Sequence, residues 1–144
     1  MYEIQELTAQ DEWLEAFPVM HELRTHLDEN AYLELLYKMA DEGYKMFALF
    51  NDTNILAVTG VIIRTNFYDG RHVFVYDLVT YPSERSKGYG ELLLTYIEQW
   101  AKEHGCEKLA LDSGVQRIDA HRFYENRMGF GKFSYGFKKM IDMK

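Results

Sequence analysis

One cysteine, Cys106, and two prolines, Pro18 and Pro82, are all that the 144 residues hold of those two types. A lone cysteine excludes an intrachain disulfide and any cysteine-based metal cluster, so Cys106 is read as a small side chain at the start of a strand. Long hydrophobic runs are missing too. No stretch reaches the roughly 20 apolar residues that cross a bilayer, and the opening Met1-Tyr2-Glu3-Ile4-Gln5-Glu6 lacks the basic and apolar regions of a secretory leader. The expected location is cytoplasmic, with no membrane partner. Positive charge is in deficit: 16 Lys and Arg stand against 23 Asp and Glu, a formal net charge of -7. That balance disfavours non-specific binding to nucleic acid and is friendlier to a cationic acceptor such as an amine.

What is present suffices for a core. With 47% hydrophobic and 15% aromatic residues, the chain reads as one globular domain over residues 1–144, stable without disulfides or metals. Residues 2–7 alternate as a first strand. Residues 11–43 carry helical spacing, broken at Pro18 and at Leu27-Asp28-Glu29-Asn30 into two helices and closed by Gly43. The acidic Glu22, Asp28 and Glu29 lie in this part, as a solvated helix face or as a site for a substrate ammonium. Residues 45–50 and the β-branched run 55–67 form a hairpin about Asn51-Asp52-Thr53-Asn54, and Asp69-Gly70 leads into a further strand over 72–80. His72, beside that turn, reads as an ordinary surface residue.

The chain is organised around residues 73–100. A β-rich run gives way to a polar turn, and then Gly88-Tyr89-Gly90 opens a helix predicted over 88–104, with apolar residues at 93, 96, 97 and 100. The first turn of a helix offers backbone N–H groups and the positive end of its dipole, so a glycine entry beside Arg85 and Lys87 suits a phosphate or pyrophosphate. A P-loop is excluded, because Lys87 precedes the glycines and Glu91 follows them. The dinucleotide fingerprint is incomplete, with Leu93 where its third glycine belongs. Downstream, residues 108–112 form a short strand that the helical crossover allows to lie parallel to 73–80. A helix over 117–127 follows, stopped by Gly129-Phe130-Gly131, and then a last strand over 132–141.

Arg85-Ser86-Lys87-Gly88-Tyr89-Gly90 resembles the R/Q-x-x-G-x-G/A loop of the GCN5-related N-acetyltransferase (GNAT) family, which grips the pyrophosphate of acetyl-coenzyme A. A second segment from Ala120 to Phe130, AHRFYENRMGF, is similar to that family's A-x-x-F-Y-x-x-x-G-F. The resemblance is clearest over residues 47–137. It implies an α/β domain with a mixed, mostly antiparallel sheet of about six strands and helices on both faces. It also implies a splay between strands 73–80 and 108–112, where pantetheine lies against the backbone of Leu78, Val79 and Thr80.

Acetyl-CoA is then the cosubstrate, with no metal, and Arg85, Ser86, Lys87, Gly88, Tyr89 and Gly90 hold its diphosphate. Arg117, His121 and Tyr124 fall at i, i+4 and i+7 on one helical stripe. The resemblance puts Tyr124 beside the cofactor sulfur as general acid and His121 with the cofactor contacts. Arg117 stands where the family commonly has asparagine, and pairs with a phosphate or with a carboxylate such as Asp119. A backbone N–H near Val79 would polarise the thioester carbonyl. Asp77, a carboxylate inside an apolar strand, is the candidate base through water, or a structural hydrogen-bond acceptor. Cys106 lies outside both motifs, which disfavours an acyl-cysteine route.

The expected activity is transfer of acetyl to a primary amine by direct attack. The acceptor is read as a small molecule, with a possible homodimer. The alternatives are a non-catalytic acyl-CoA-binding sensor and an acetylase of protein lysines or N-termini.

Overall fold

The computed structural model describes residues 1–143. Their contacts divide them into two compact units, Met1–Leu111 and a second that begins at Asp112.

In the first unit, β1 (Tyr2–Leu7), β2 (Lys45–Asn51), β3 (Asn54–Asn66), β4 (Gly70–Thr80) and β5 (Leu109–Leu111) form one sheet in the order β1-β2-β3-β4-β5. The first four are an antiparallel meander, and β5 joins parallel to β4. The meander follows from its turns. Asp52 and Gly70 take positive φ, 56° and 65°, which tight hairpins need. The parallel step needs a crossover, supplied by α3 (Tyr89–Glu103).

Two helices precede β2. In α1 (Gln10–Met20), Pro18 sits in the last turn, so the break falls over residues 21–28 rather than at the proline. Asp28 then caps α2 (Glu29–Asp41), its Oδ1 accepting from Ala31 N at 2.8 Å.

Period-2 alternation sorts the side chains to two faces. Met46, Ala48 and Phe50 of β2 pack with Trp13, Ala16, Val19, Tyr32 and Leu36 of α1 and α2. Leu49 packs with Leu56, Ala57, Tyr89 and Leu93 on the α3 side, where Phe47 also meets Tyr96 and Trp100. Leu93, Leu94 and Ile97 of α3 are fully buried, each stabilising the fold by about 1.5–3 kcal/mol. Helices therefore cover both sheet faces, as expected.

β4 carries an irregularity that matters below. Gly60 pairs with Asp77 but Val61 with Val75, so Tyr76 is an extra residue, a β-bulge. The β5 partners of β4 stop at Val75↔Leu111, beside that bulge.

The second unit holds α4 (Ile118–Arg122), continued by a π-helical turn, Phe123–Arg127, in place of the regular helix expected over 117–127. Two other expectations are corrected. Among the described residues there are five strands, not about six, because 132–141 forms none. A strand needs a partner edge for its N–H and C=O groups; this segment has no ladder, and its Phe133, Tyr135, Phe137 and Ile141 stay exposed. His72 is not a surface residue but fully buried, with Nδ1 against Gly70 O at 2.8 Å and Nε2 accepting from Arg64 Nε at 3.3 Å. Cys106 is a free, buried thiol just before β5. No helix among the described residues is long and apolar enough to cross a membrane.

Candidate active site

The end of β4 and the entry to α3 form a candidate site within the first unit. Past Val75, residues 76–80 of β4 have β3 on one edge and no strand on the other among the described residues. Leu78 packs into the cluster on the α3 face and Val79 into the cluster under α1 and α2. Both side chains are thus anchors, and what this stretch offers a ligand is backbone. Thr80 closes the strand, and Tyr81 N–H donates to Leu56 O at 2.9 Å.

A short 3-10 turn, Pro82–Glu84, leads to the glycine loop. Ser86 and Gly88 both take positive φ, 64° and 85°. A left-handed serine is uncommon, and alternation of this kind turns successive N–H groups into a concave anion cradle. A Cβ at Gly88 would meet nothing within 4 Å, so glycine is required there for its φ and not for space. No side chain caps α3, which leaves its first-turn N–H groups and dipole facing that cradle.

The six motif residues divide by role. Arg85 is exposed and has no acidic partner among the described residues. The Lys87 ammonium is taken by Glu84 at 2.7 Å. Tyr89 turns inward to Leu49, Leu56, Ala57 and Leu93, and its hydroxyl meets Tyr2 Oη at 3.0 Å. That hydrogen bond is the main reason its phenol is pushed up to about 12. Of Tyr89 and Gly90, then, the loop presents backbone. Such a cradle, with a free guanidinium beside it, fits the diphosphate of a coenzyme A ester.

Asp77 lies on β4 at the bulge, 7% exposed, and both carboxylate oxygens are engaged. Oδ1 accepts from Arg24 Nε at 2.9 Å and Oδ2 from the Tyr44 hydroxyl at 2.7 Å. Arg24 Nη2 also donates to Tyr76 O at 2.7 Å, and Thr59 Oγ1 to Asp77 O at 2.7 Å. Burial, and then the charge of Asp77, hold the Tyr44 phenol well above its usual range, so it stays a donor. Tyr32 is raised for the same two reasons in the same order.

In the second unit, Gly114 O accepts from Arg117 N at 3.0 Å and from His121 Nε2 at 2.8 Å. A carbonyl only accepts, so the proton of neutral His121 is on Nε2. Tyr124 is buried between Phe123 and Phe130, both edge-on, at 5.4 and 5.7 Å. Burial raises its phenol, and the Arg117 guanidinium, by charge and by hydrogen bonding, pulls it part of the way back. Asp119 pairs instead with Arg122 at 3.3 Å. Arg117, His121 and Tyr124 are thus gathered in one short segment, and the stripe read from the sequence links Arg117 to Tyr124. No group of His, Cys, Asp and Glu that could hold a metal ion occurs among the described residues.

Residues 6–130 match the model of the Acetyltransferase (GNAT) family. The chain belongs to that family. An uncharacterized N-acetyltransferase, YhdJ, of Bacillus subtilis (strain 168) is 44% identical over 98% of this chain and 100% of its own. The aminoglycoside N(6')-acetyltransferase type 1 of Acinetobacter haemolyticus is 26% identical over 84% of this chain and 90% of its own. Among solved structures, the aminoglycoside N-acetyltransferase AAC(6')-Iy in complex with CoA superposes with a TM-score of 0.85 at 16% identity, covering 98% of this chain and 95% of that one. At that identity the likeness is one of fold.

The GNAT glycine loop was legible as a motif, but Arg24, Tyr44, Thr59 and Gly60 around Asp77 were not. Gly60 alone left a signal. A glycine inside a β-branched run marks a bulge or a close approach, and a Cβ there would collide with the Tyr44 hydroxyl.

Proposed function

We propose that this single-domain GNAT protein, residues 1–144, transfers acetyl from acetyl-CoA to a primary amine of a small molecule, by direct attack and without a covalent enzyme intermediate. One observation carries the reading. The strand edge freed at the β4 bulge leads to an uncapped helix entry whose loop holds Ser86 and Gly88 at positive φ. An extended thioester with a diphosphate at one end needs that combination.

Arg85 and the backbone of residues 86–90 hold the diphosphate, while Leu78, Val79 and Thr80 offer main-chain groups to the pantetheine arm. Bound acetyl-CoA supplies an acyl carbon activated as a thioester, which accepts the amine lone pair as the carbon–sulfur bond breaks. A main-chain N–H on the open edge of residues 78–80 donates to the carbonyl oxygen as negative charge gathers there. Tyr124, kept protonated at neutral pH by burial, gives its proton to the departing thiolate. The attacking nitrogen loses its proton to water, while Asp77, whose two oxygens each accept one side-chain hydrogen bond, holds the strand in shape. Arg117 tunes Tyr124, and His121 braces the segment through Gly114.

For the acceptor, the names of the relatives point to small amines: aminoglycosides for one, and an aminoalkylphosphonate for a Salmonella typhimurium protein 34% identical over 46% of this chain. An acidic chain in the cytoplasm suits cationic acceptors.

The test is an acetylation screen of aminoglycosides, polyamines, aminoalkylphosphonates, amino acids and short peptides, read by mass spectrometry, with calorimetry of coenzyme A binding alongside. Acetyl-CoA-dependent mass gain of 42 on a small amine is expected on the mass of an acetyl group replacing hydrogen, about that value. Saturable coenzyme A binding without transfer to any amine would make the protein a sensor. No binding at all would overturn the proposal.

A further inference from the structure

The carboxylate of Asp77 and the carbonyls of Tyr76 and Asp77 receive four side-chain hydrogen bonds from residues that neither motif contains. We infer that Arg24, on the linker between α1 and α2, is a positioning residue that clamps the β4 bulge through Asp77 and the Tyr76 carbonyl, and so aims the backbone of residues 78–80 at the thioester. The inference rests on the function proposed above.

The bulge explains why a clamp is required. An extra residue takes its C=O out of the ladder with β3, and β5 has already stopped pairing at Val75. At Tyr76 neither ladder holds the chain, although residues 77–80 pair again with β3, so the direction taken at that point needs another fastening. Arg24 supplies what the ladder does not: Nη2 takes the Tyr76 carbonyl at 2.7 Å and Nε takes Asp77 Oδ1 at 2.9 Å. The guanidinium fork thus spans main chain and side chain of adjacent residues.

Tyr44 completes the clamp from the other side, with its hydroxyl on Asp77 Oδ2 and its ring stacked on Tyr76 at 5.9 Å and 24°. Thr59 holds the Asp77 carbonyl. Gly60, the β3 partner of Asp77, leaves the room the Tyr44 hydroxyl occupies. The carboxylate is buried while the Arg24 side chain is 40% exposed, so the linker is fastened to the strand at one charged point.

Arg24→Ala is expected to lower kcat about 10-fold, since misplacing a reacting group by an ångström or less costs 10- to 100-fold, while KM for acetyl-CoA stays within about twofold because the diphosphate loop is untouched. Ethylguanidinium added to Arg24→Ala should restore part of kcat, and Arg24→Lys, which keeps charge without the fork, should fall between. The double variant Arg24→Ala with Asp77→Asn should be no slower than the slower single variant, as for parts of one unit.

An Arg24→Ala enzyme with unchanged kcat would overturn the inference, and so would single losses that multiply in the double variant. A loss confined to melting temperature, without rescue by ethylguanidinium, would reduce Arg24 to a structural contact and overturn it equally. Hydrogen exchange keeps this test apart from that of the proposed activity. In Arg24→Ala the amides of residues 78–80 should exchange about 10-fold faster, with those of 93–97 in α3 unchanged. Unchanged exchange at 78–80 refutes the clamp whether or not the wild type acetylates any amine. If Arg24→Ala does not fold, Tyr44→Phe, which keeps the stacked ring and removes one donor, takes its place in both measurements.

Discussion

Asp77 and Tyr124 are the two polar side chains on which a proton-transfer mechanism would first be built, and their surroundings differ. Around Asp77 each carboxylate oxygen accepts one side-chain hydrogen bond, and Arg24, Tyr44 and Thr59, from three separate stretches of chain, converge on two residues of one strand. Around Tyr124 two rings, Phe123 and Phe130, and the Arg117 guanidinium all come from within seven positions of it in the sequence. A carboxylate satisfied in this way is suited to holding shape, whereas a buried phenol beside a single cation retains a proton that can be given up. Polarity inside a strand is therefore no sign of a catalyst by itself, and the partners of the group have to be read with it.

The largest effect should come from Gly60. Gly60→Ala sets a methyl against the buried Tyr44 hydroxyl, and overpacking of this kind is expected to cost about 3 kcal/mol, measured by urea unfolding with the m-value unchanged. A stable Gly60→Ala protein would mean that the Asp77 network yields more readily than its closure suggests.

Tyr124→Phe is expected to reduce kcat about 100-fold, the lower end for a lost general acid, with coenzyme A affinity preserved. Full turnover with the true acceptor would remove the acid role. Because Arg117 holds the phenol down, Arg117→Gln should move the alkaline limb of the kcat profile to higher pH. A downward or absent displacement would contradict the pairing.

Gly88→Val should weaken coenzyme A binding about 10-fold in calorimetry, since a β-branched residue at φ 85° is strained by roughly 1–3 kcal/mol and the loop must give. The same change at an ordinary loop position would leave binding alone.

The smallest expected effect is on stability in alkali. Tyr44 and Tyr32 have phenols raised above their unfolded value of 10.0. A phenol raised on folding stabilises the protein fully below that unfolded value and loses the contribution as pH climbs towards the folded one. Stability should hold up to about pH 10 and then decline by at most about 1.4 kcal/mol per pH unit for each such phenol. Tyr44→Phe should flatten that decline, although it also lowers stability at neutral pH by removing a donor from Asp77.

Much of this molecule is local in origin and was readable as letters. Gly70 and Asp52 at the hairpins, Gly43 after α2, the amphipathic 88–104 segment and the glycine loop each act within a few residues of themselves, so spacing and residue type were sufficient. The antiparallel meander and the parallel fifth strand follow from those turns and from one helical crossover. Where tertiary partners decide, letters ran out. Whether 132–141 is a strand depends on an edge to pair with, and whether His72 is buried depends on Arg64 and the carbonyl of Gly70. The role of Asp77 depends on an arginine 53 positions away and a tyrosine 33 positions away. Backbone preferences and periodicity are properties of a short stretch of chain, but the satisfaction of a buried charge is a property of what the folded chain brings to it, and only the tertiary structure holds that information.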